Sequence, residues 1–568
     1  MVHFQTRIIS YLCISSLIGL TIGAFVSLAA NVFVNGIKYF EALRLTLLSR
    51  FNFFVYSEYI VPFAWLTAGF FLVFLIKKIV GCTSWQGPAD AIYCAHRPDK
   101  NMDIRQGFGT VLAAFTSLSA GASLGQYGPI VHMGALIGGL FKKYNLSSIH
   151  LSNDIFLGCG VAAAISAGFQ APIAGVIFAH EAILRHFSVR AIAPIAISSI
   201  CAASVGEWLN LSDNILALDF NPEPLMKQVP ALLIGGFIFS LIAVFMMKST
   251  LNGIAAVNRL NLPIYFLGFI AVFGLGILSI FVPETVGIGM ESLLDVLSGH
   301  YEVNTLILLF FAKILAILIS ICFGFVGGFV SPALIIGALS GALLAAFLTT
   351  VGFDVSSVTL MIAGMAAVSG TIVGAPISMV MLVFELTESY DFAVSAMLSV
   401  VVANLFSHLA FSHSLFDEQL KRRNIDVSVG RTNLALMEQS ITDITQTNFL
   451  KVFPDETVAK TIELLKKEQQ TEAFCVAEDG TYVGKLFLPQ LLEVKSNTKA
   501  SLSVTSTDTT IPANSSMFQA MEIASGFVGE AMAVVDKKND VIVGVVTEAD
   551  IFSIYFKAQS DVHKVEHG

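Results

Sequence analysis

The fourteen-residue pattern G-x-x-x-P-x-x-x-x-G-A-L-x-G occurs twice in this chain, from Gly125 to Gly138 and from Gly328 to Gly341, 203 positions apart. A second echo follows each copy. Gly160-x-Ala162-Ala163, Ala171-Pro172-Ile173 and Glu181 reappear as Gly364-x-Ala366-Ala367, Ala375-Pro376-Ile377 and Glu385, 204 positions on. Two echoes at almost one offset imply two similar halves, the usual plan of membrane transporters that bind their ion where the halves meet. The echo alone leaves open whether the halves run parallel or inverted.

The repeat lies in strongly apolar surroundings. Only 13% of the 568 residues are charged, about half the share of a soluble chain, and the deficit ends at Lys421-Arg422-Arg423. Runs near the ~20 residues that cross a bilayer include Ile8–Val34, Ile60–Ile76, Val229–Met247, Leu306–Phe323 and Ala393–Phe411. Ile8–Val34 is too long for the apolar core of a cleaved signal peptide and reads as a retained membrane helix. Gly107–Leu124, Ile130–Leu140, Phe156–Ala182 and Ile319–Leu348 are broken by Gly, Pro and Ser clusters. Broken helices are tolerated at membrane depth only where they are buried in protein or line a polar cavity. The cations at 421–423, and Arg7 near the start, place both termini on the cytoplasmic side.

Pro is best tolerated in the first turn of a helix, so Pro129 and Pro332 each mark a helix start. The residues just ahead of them then present free N–H groups carrying a partial positive charge, which suits an anion. Neither Gly121–Ala135 nor Gly324–Ala338 contains Lys or Arg, and a full cation there would slow the ion's exit. The competing reading is that these glycines only let helices pack closely.

On these residues the membrane region, roughly Arg7 to Lys421, resembles the CLC family of chloride channels and chloride/proton antiporters. The family segment G-(K/R)-E-G-P is matched by Gly125-Gln126-Tyr127-Gly128-Pro129, and G-x-F-x-P by Gly328-Phe329-Val330-Ser331-Pro332. The segment G-S-G-I-P has a looser counterpart in Trp85-Gln86-Gly87-Pro88, with Gln86 most nearly in the serine place and the register open. A late helix carrying an anion-coordinating Tyr is matched by Ser414-Leu415-Phe416-Asp417. The resemblance implies an all-α polytopic membrane domain of two inverted repeats with broken, re-entrant helices. It implies a homodimer with one pore per subunit, and an anion site at Gln86, Gly87, Gly125, Gln126, Tyr127, Gly128, Pro129, Gly328, Phe329, Val330 and Phe416.

The departures bear on mechanism. Tyr127 stands where the family has its gating glutamate, and a phenol of reference pKa about 10 neither mimics an anion nor delivers a proton at pH 7. Ala182 stands where the antiporters have an internal proton glutamate. Val330 replaces Phe, and Phe416 replaces the coordinating Tyr. These changes predict passive chloride passage through a channel or uncoupled transporter, with a chloride/proton antiporter using a non-standard proton path as the alternative. His132 is read either as pore-lining or as part of a local hydrogen-bond network. Glu181 and Glu385, at equivalent repeat positions, read as paired contacts to freed backbone amides or as functional carboxylates. Lys313 is expected to face protein or water.

From Thr432 to Lys557 the chain resembles a pair of CBS modules, an α+β unit. The expected organisation is a membrane domain over 1–420, a linker over 421–433, and modules over 434–496 and 503–557, joined by the Ser/Thr-rich stretch 496–509. Thr547 and Asp550 match the family's G-x-x-T-x-x-D ending, which implies one possible adenine-nucleotide site; the first module has Phe487 and Gln490 there. A purely structural pair is the other reading, and a membrane-anchored nucleotide sensor is the reading of a different class. A magnesium channel would need carboxylates lining a pore, and the two proline-opened segments have none. No enzyme signature, metal-ligand spacing or basic nucleic-acid array is present, so the expected partners are chloride or other small anions and membrane lipid, with no required cofactor. The seven dispersed cysteines read as free buried thiols, and the net charge of −9 does not oppose an anion site built from backbone dipoles.

Overall fold

The computed structural model describes residues 2–50, 57–82, 84–97, 99–143, 151–187, 189–209, 224–411, 414–505 and 509–566. They form two compact units, Met1–Ile425 and Asp426–Gly568. Residues 506–508 of the expected connector lie outside the described residues.

The first unit is helical, and its halves correspond element by element. The first half runs α1 (Val2–Arg50), α2 (Ser57–Val80), α3 (Pro88–His96), α4 (Ile104–Ser119), α5 (Tyr127–Lys143), α6 (Asn153–Phe169), α7 (Pro172–Phe178) with a π-helical turn Ala179–Leu184, and α8 (Val189–Trp208). The second half runs α9 (Leu225–Arg259), α10 (Ile264–Phe281), α11 (Met290–Leu297), α12 (Val303–Cys322), α13 (Val330–Thr350), α14 (Ser357–Val373), α15 (Pro376–Thr387) and α16 (Tyr390–Phe411). α17 (Leu415–Lys421) follows. The packing corresponds too: α5 lies on α6 as α13 lies on α14, and α1 lies on α8 as α9 lies on α16.

Part of the repeated motif serves this packing. A Cβ on Gly134 would come within 2.2 Å of the Gly160 carbonyl oxygen, and one on Gly337 within 2.3 Å of that of Gly364. Each pair lets two helix backbones touch, which drives helix association in lipid, where apolar burial gives little. The later glycines of the motif therefore follow the packing reading.

Among the described residues, eight helices are long and apolar enough to cross a membrane. Their outer faces expose large apolar side chains such as Val32, Phe71, Phe269 and Leu409, as a lipid-facing surface does. α1 has 49 residues, about 70 Å of helix against a hydrocarbon core of about 30 Å. It must tilt or project, and the apolar run Ile8–Val34 marks only part of it. Lys313 is 2% exposed and donates to the carbonyls of Thr285 (3.1 Å) and Gly287 (3.3 Å), so it faces protein. All seven cysteines are free. The expectation of buried thiols holds for Cys82, Cys94, Cys159 and Cys475, whereas Cys13 is exposed and Cys201 and Cys322 are half-buried. A thiol is apolar enough to sit on a lipid-facing helix surface.

The second unit contains α18 (Arg431–Glu438), β1 (Lys451–Val452), α19 (Val458–Lys467), β2 (Glu472–Val476), β3 (Tyr482–Phe487) and α20 (Leu488–Leu491). β4 (Thr510–Pro512), α21 (Met517–Ala524), β5 (Ala531–Asp536), β6 (Val541–Thr547) and α22 (Glu548–Glu566) repeat the order. In each module the first strand pairs parallel with the second, and the second antiparallel with the third. Thr457 and Ser516 cap α19 and α21 through their side chains. The segments ahead of the sheets cross over. Leu436 and Ile441 pack with Met517 and Ile551, while Ala500 packs with Val452 and Leu486. A buried ion pair, Lys485 Nζ to Glu472 Oε2 at 2.5 Å, ties the modules together, for Lys485 also donates to the Ala531 carbonyl and Glu472 accepts from the Glu530 and Ala531 amides.

Candidate anion site

The two repeat motifs meet. Gly125 donates its N–H to the Gly328 carbonyl (2.8 Å) and Gly328 donates to the Gly125 carbonyl (2.6 Å), an antiparallel pair between equivalent residues. The chain therefore leaves this contact in opposite directions in the two halves, and a local two-fold relates them. The contact needs glycine: a Cβ on Gly128 would lie 2.8 Å from Gly328 Cα, and one on Gly328 would lie 2.7 Å from Gly128 N. α5 begins at Tyr127 and α13 at Val330, each two residues ahead of its proline. Both starts are buried. Neither faces lipid.

The same two-fold governs the second echo. Glu181 accepts from the amides of Ile377 (2.9 Å) and Ser378 (2.8 Å) at the start of α15. Glu385 accepts from Ile173 and Ala174, both at 2.7 Å, at the start of α7. Each half thus caps the proline-opened helix of the other with a carboxylate, a charge-assisted arrangement favoured by the helix dipole. The glutamates make paired contacts to freed amides.

A cavity of about 630 Å³ reaches the meeting point. Of the sequence-selected residues, Gln86, Gly87, Gly128, Pro129, Gly328, Phe329 and Phe416 line it, and His132 lines it as well. It gathers the starts of α3, α5, α13 and α17. Lys77, Asp90, Arg422 and Arg423 also lie on its wall. Arg423 pairs with Asp90 (2.8 Å) and Arg422 donates to the Leu251 carbonyl (2.7 Å), so these three charges at the wall are held by protein partners. The start of α3 has little left to offer an ion. The Gly87 amide donates to Asp90 Oδ2 (2.8 Å) and the Gln86 amide to Thr110 Oγ1 (3.1 Å).

The remaining selected residues are not on the wall. Gly125, Gln126, Tyr127 and Val330 are buried behind it. Tyr127 is 1% exposed, its ring stacked on Phe169 with centroids 3.5 Å apart, and its hydroxyl makes no well-formed hydrogen bond among the described residues, the Gln126 side chain being its polar neighbour. A Cβ on Gly168 would come within 3.0 Å of that ring. Ala182 is buried in the π-helical turn. Close to it in the chain is a group the sequence reading passed over: buried Asp154 pairs with His186 Nε2 (2.8 Å), and His180 Nδ1 donates to the His186 carbonyl (2.9 Å). No spacing signal joins Asp154 to His186.

In the second unit, Thr547 Oγ1 donates to Asp550 Oδ2 (2.7 Å), and the Asp550 amide donates back to Thr547 Oγ1 (3.1 Å). The pair is a reciprocal cap at the start of α22. Gln446 Nε2 also donates to Asp550 Oδ2 (3.0 Å). Among the described residues no cluster of His, Cys, Asp or Glu is arranged to hold a metal ion.

Two inverted helical halves, broken at a shared buried centre beside a cavity, define a membrane transport protein. The sequence pattern described as voltage gated chloride channel matches residues 68–408, and the CBS domain pattern matches residues 501–557. The chain belongs to the voltage-gated chloride channel, or CLC, family, and is an anion transporter of that family with a C-terminal CBS pair. It is 27% identical over 314 residues to the H(+)/Cl(-) exchange transporter ClcA of Vibrio parahaemolyticus, covering 54% of this chain and 67% of the relative. A putative chloride channel protein ClcB-like from Ralstonia nicotianae is 25% identical, covering 58% and 78%. In fold, the chain resembles a slow cyanobacterial Cl-/H+ antiporter (TM-score 0.66, 21% identity, 72% of this chain and 97% of that one). It also resembles a eukaryotic CLC transporter (TM-score 0.63, 18% identity, 96% and 98%).

Proposed function

We propose that this chain passes chloride, or a similar small anion, passively and without tight proton coupling. The reading is supported by the two positions that the resemblance matches to the family's carboxylates: Tyr127, packed on Phe169, and Ala182, a methyl, carry no carboxylate. A neutral phenol with a reference pKa about 10 neither competes with an anion nor relays a proton. The selected residues from Gln86 to Phe416 then act as an anion site built mainly from helix N-termini, with Gln126 and Val330 supporting the starts from behind. By analogy with the family, two subunits assemble with one pore each in the plasma membrane, or the inner membrane of a bacterium, with both termini cytoplasmic. The CBS pair is regulatory, with Thr547 and Asp550 as its candidate nucleotide contacts. The domain limits at 420, 434, 496, 503 and 557 belong to the same reading.

Tyr127→Glu tests the placement of Tyr127. Restoring a carboxylate at the start of α5 should make anion flux fall as pH rises and the side chain ionises. Flux as flat with pH as in the parent would remove Tyr127 from the path.

A second reading is an exchanger with a substitute proton route, favoured by the buried Asp154–His186 pair with His180 beside it. Under that reading, Asp154→Asn abolishes proton movement and leaves chloride movement in place.

A further inference from the structure

His132 sits in the second turn of α5, is 1% exposed, and lines the cavity. Neither of its ring nitrogens makes a well-formed hydrogen bond among the described residues, the Gly87 backbone offering only a poorly formed contact. The reading of His132 as part of a local protein network therefore rests on no more than a weak contact to the Gly87 backbone. A neutral imidazole carries a hydrogen on one nitrogen in either tautomer, so one buried donor is left without a well-formed hydrogen bond whichever tautomer forms. Such groups are rare because leaving a buried donor unpaired is expensive.

Several other donors on this wall are already engaged, although the buried Thr250 hydroxyl is not. The amides of Gln86 and Gly87 bind Thr110 and Asp90, and the guanidinium of Arg423 binds Asp90. Phe416 brings a hydrocarbon ring where the family has a hydroxyl. The Asp90 carboxylate, which could repel an anion, is covered by the Gly87 amide and Arg423.

We propose that the His132 imidazole N–H is a side-chain donor of the anion site, binding a small monovalent inorganic anion in the cavity. The inference deepens the anion-transport reading and rests on it. It accounts for how the site supplies a directional side-chain contact at the start of α5, with Thr250 the other buried unpaired donor on the cavity wall. A neutral donor also suits throughput, since it adds attraction without the tight binding of a full positive charge. Water is the competing occupant, and a water-only role makes His132 dispensable for anion affinity.

The test compares the full chain with His132→Leu and His132→Gln, reconstituted in liposomes as monodisperse protein, reading chloride flux against chloride concentration. Leu fills the space without a donor, and Gln restores an N–H at similar reach. We expect the Leu variant to raise the half-saturating chloride concentration about tenfold, the loss of one hydrogen bond to a charged partner. The Gln variant should stay within about twofold of the parent. A Leu variant with the parent's affinity overturns the proposal, and so does a Gln variant as weak as the Leu variant, which would mean that shape alone matters. A parent chain that moves no chloride would instead refute the anion-transport reading itself.

Discussion

The starts of α5 and α13 occupy equivalent places in the two halves, yet at three matched positions their side chains differ in kind. Gln126, Tyr127 and His132 in the first half stand opposite Phe329, Val330 and Ile335 in the second. The backbone around them is shared: the reciprocal Gly125–Gly328 pair, the glycine-to-glycine helix contacts and the crossed glutamate caps. The halves thus share one skeleton but differ in polar chemistry, with Gln126, Tyr127 and His132 on one side of the two-fold and Ser331, opposite Gly128, on the other. An anion site of this kind needs two helix starts but not two sets of polar side chains, because the starts act through backbone amides that any sequence supplies.

Breaking the shared skeleton should have the largest effect, and the same effect in both halves. Gly134→Leu and Gly337→Leu each force a side chain into a facing backbone, overpacking a site that cannot open without separating two helices. We expect neither variant to yield monodisperse protein in detergent. Normal yield from one variant and not the other would mean that the halves do not share their packing.

The crossed caps come next. Glu181→Gln and Glu385→Gln each replace a charged acceptor of two amides by a group with only one acceptor oxygen. A loss of about 2 kcal/mol in each case should lower the thermal unfolding midpoint in detergent. Glu181→Gln should lower it further, because Glu181 also accepts from Ser378 Oγ at 2.5 Å. Unchanged midpoints would free the glutamates from a structural role and return them to the transport path.

The smallest effect belongs to the cytoplasmic unit, where the second module has a cap that the first lacks. Thr547→Ala removes one side of the Thr547–Asp550 cap and should cost about 1 kcal/mol. Faster amide hydrogen exchange in the first turn of α22, with the membrane helices unchanged, is the expected signature. Unaltered exchange there would leave Thr547 available for a ligand instead.

The sequence exposes what recurs locally. The repeated Gly and Pro residues mark the helix starts two residues late, and the strands and helices of the CBS pair follow from apolar alternation and from Thr and Ser caps. It hides what depends on distant partners. Nothing near Glu181 announces Ile377, nothing near Tyr127 announces Phe169, and the lack of a well-formed hydrogen bond at His132 is visible only once α3 and α5 share a cavity. Apolar run length also misleads: α1 continues to Arg50 because a tilted or projecting helix need not stay apolar. Likewise, Leu436 and Ile441 stand at the start of the range expected for the first module but pack in the core of the second, a crossover that periodicity cannot reveal.

The central claim is that anion movement here is not tied to protons. The most direct measurement places the full chain in liposomes with equal chloride on both sides and imposes a proton gradient alone. The account predicts no net chloride accumulation, while an imposed chloride gradient, with potassium and valinomycin to carry the balancing charge, runs down through the protein. Chloride driven uphill by the proton gradient would contradict it and would turn attention to Asp154 and His186.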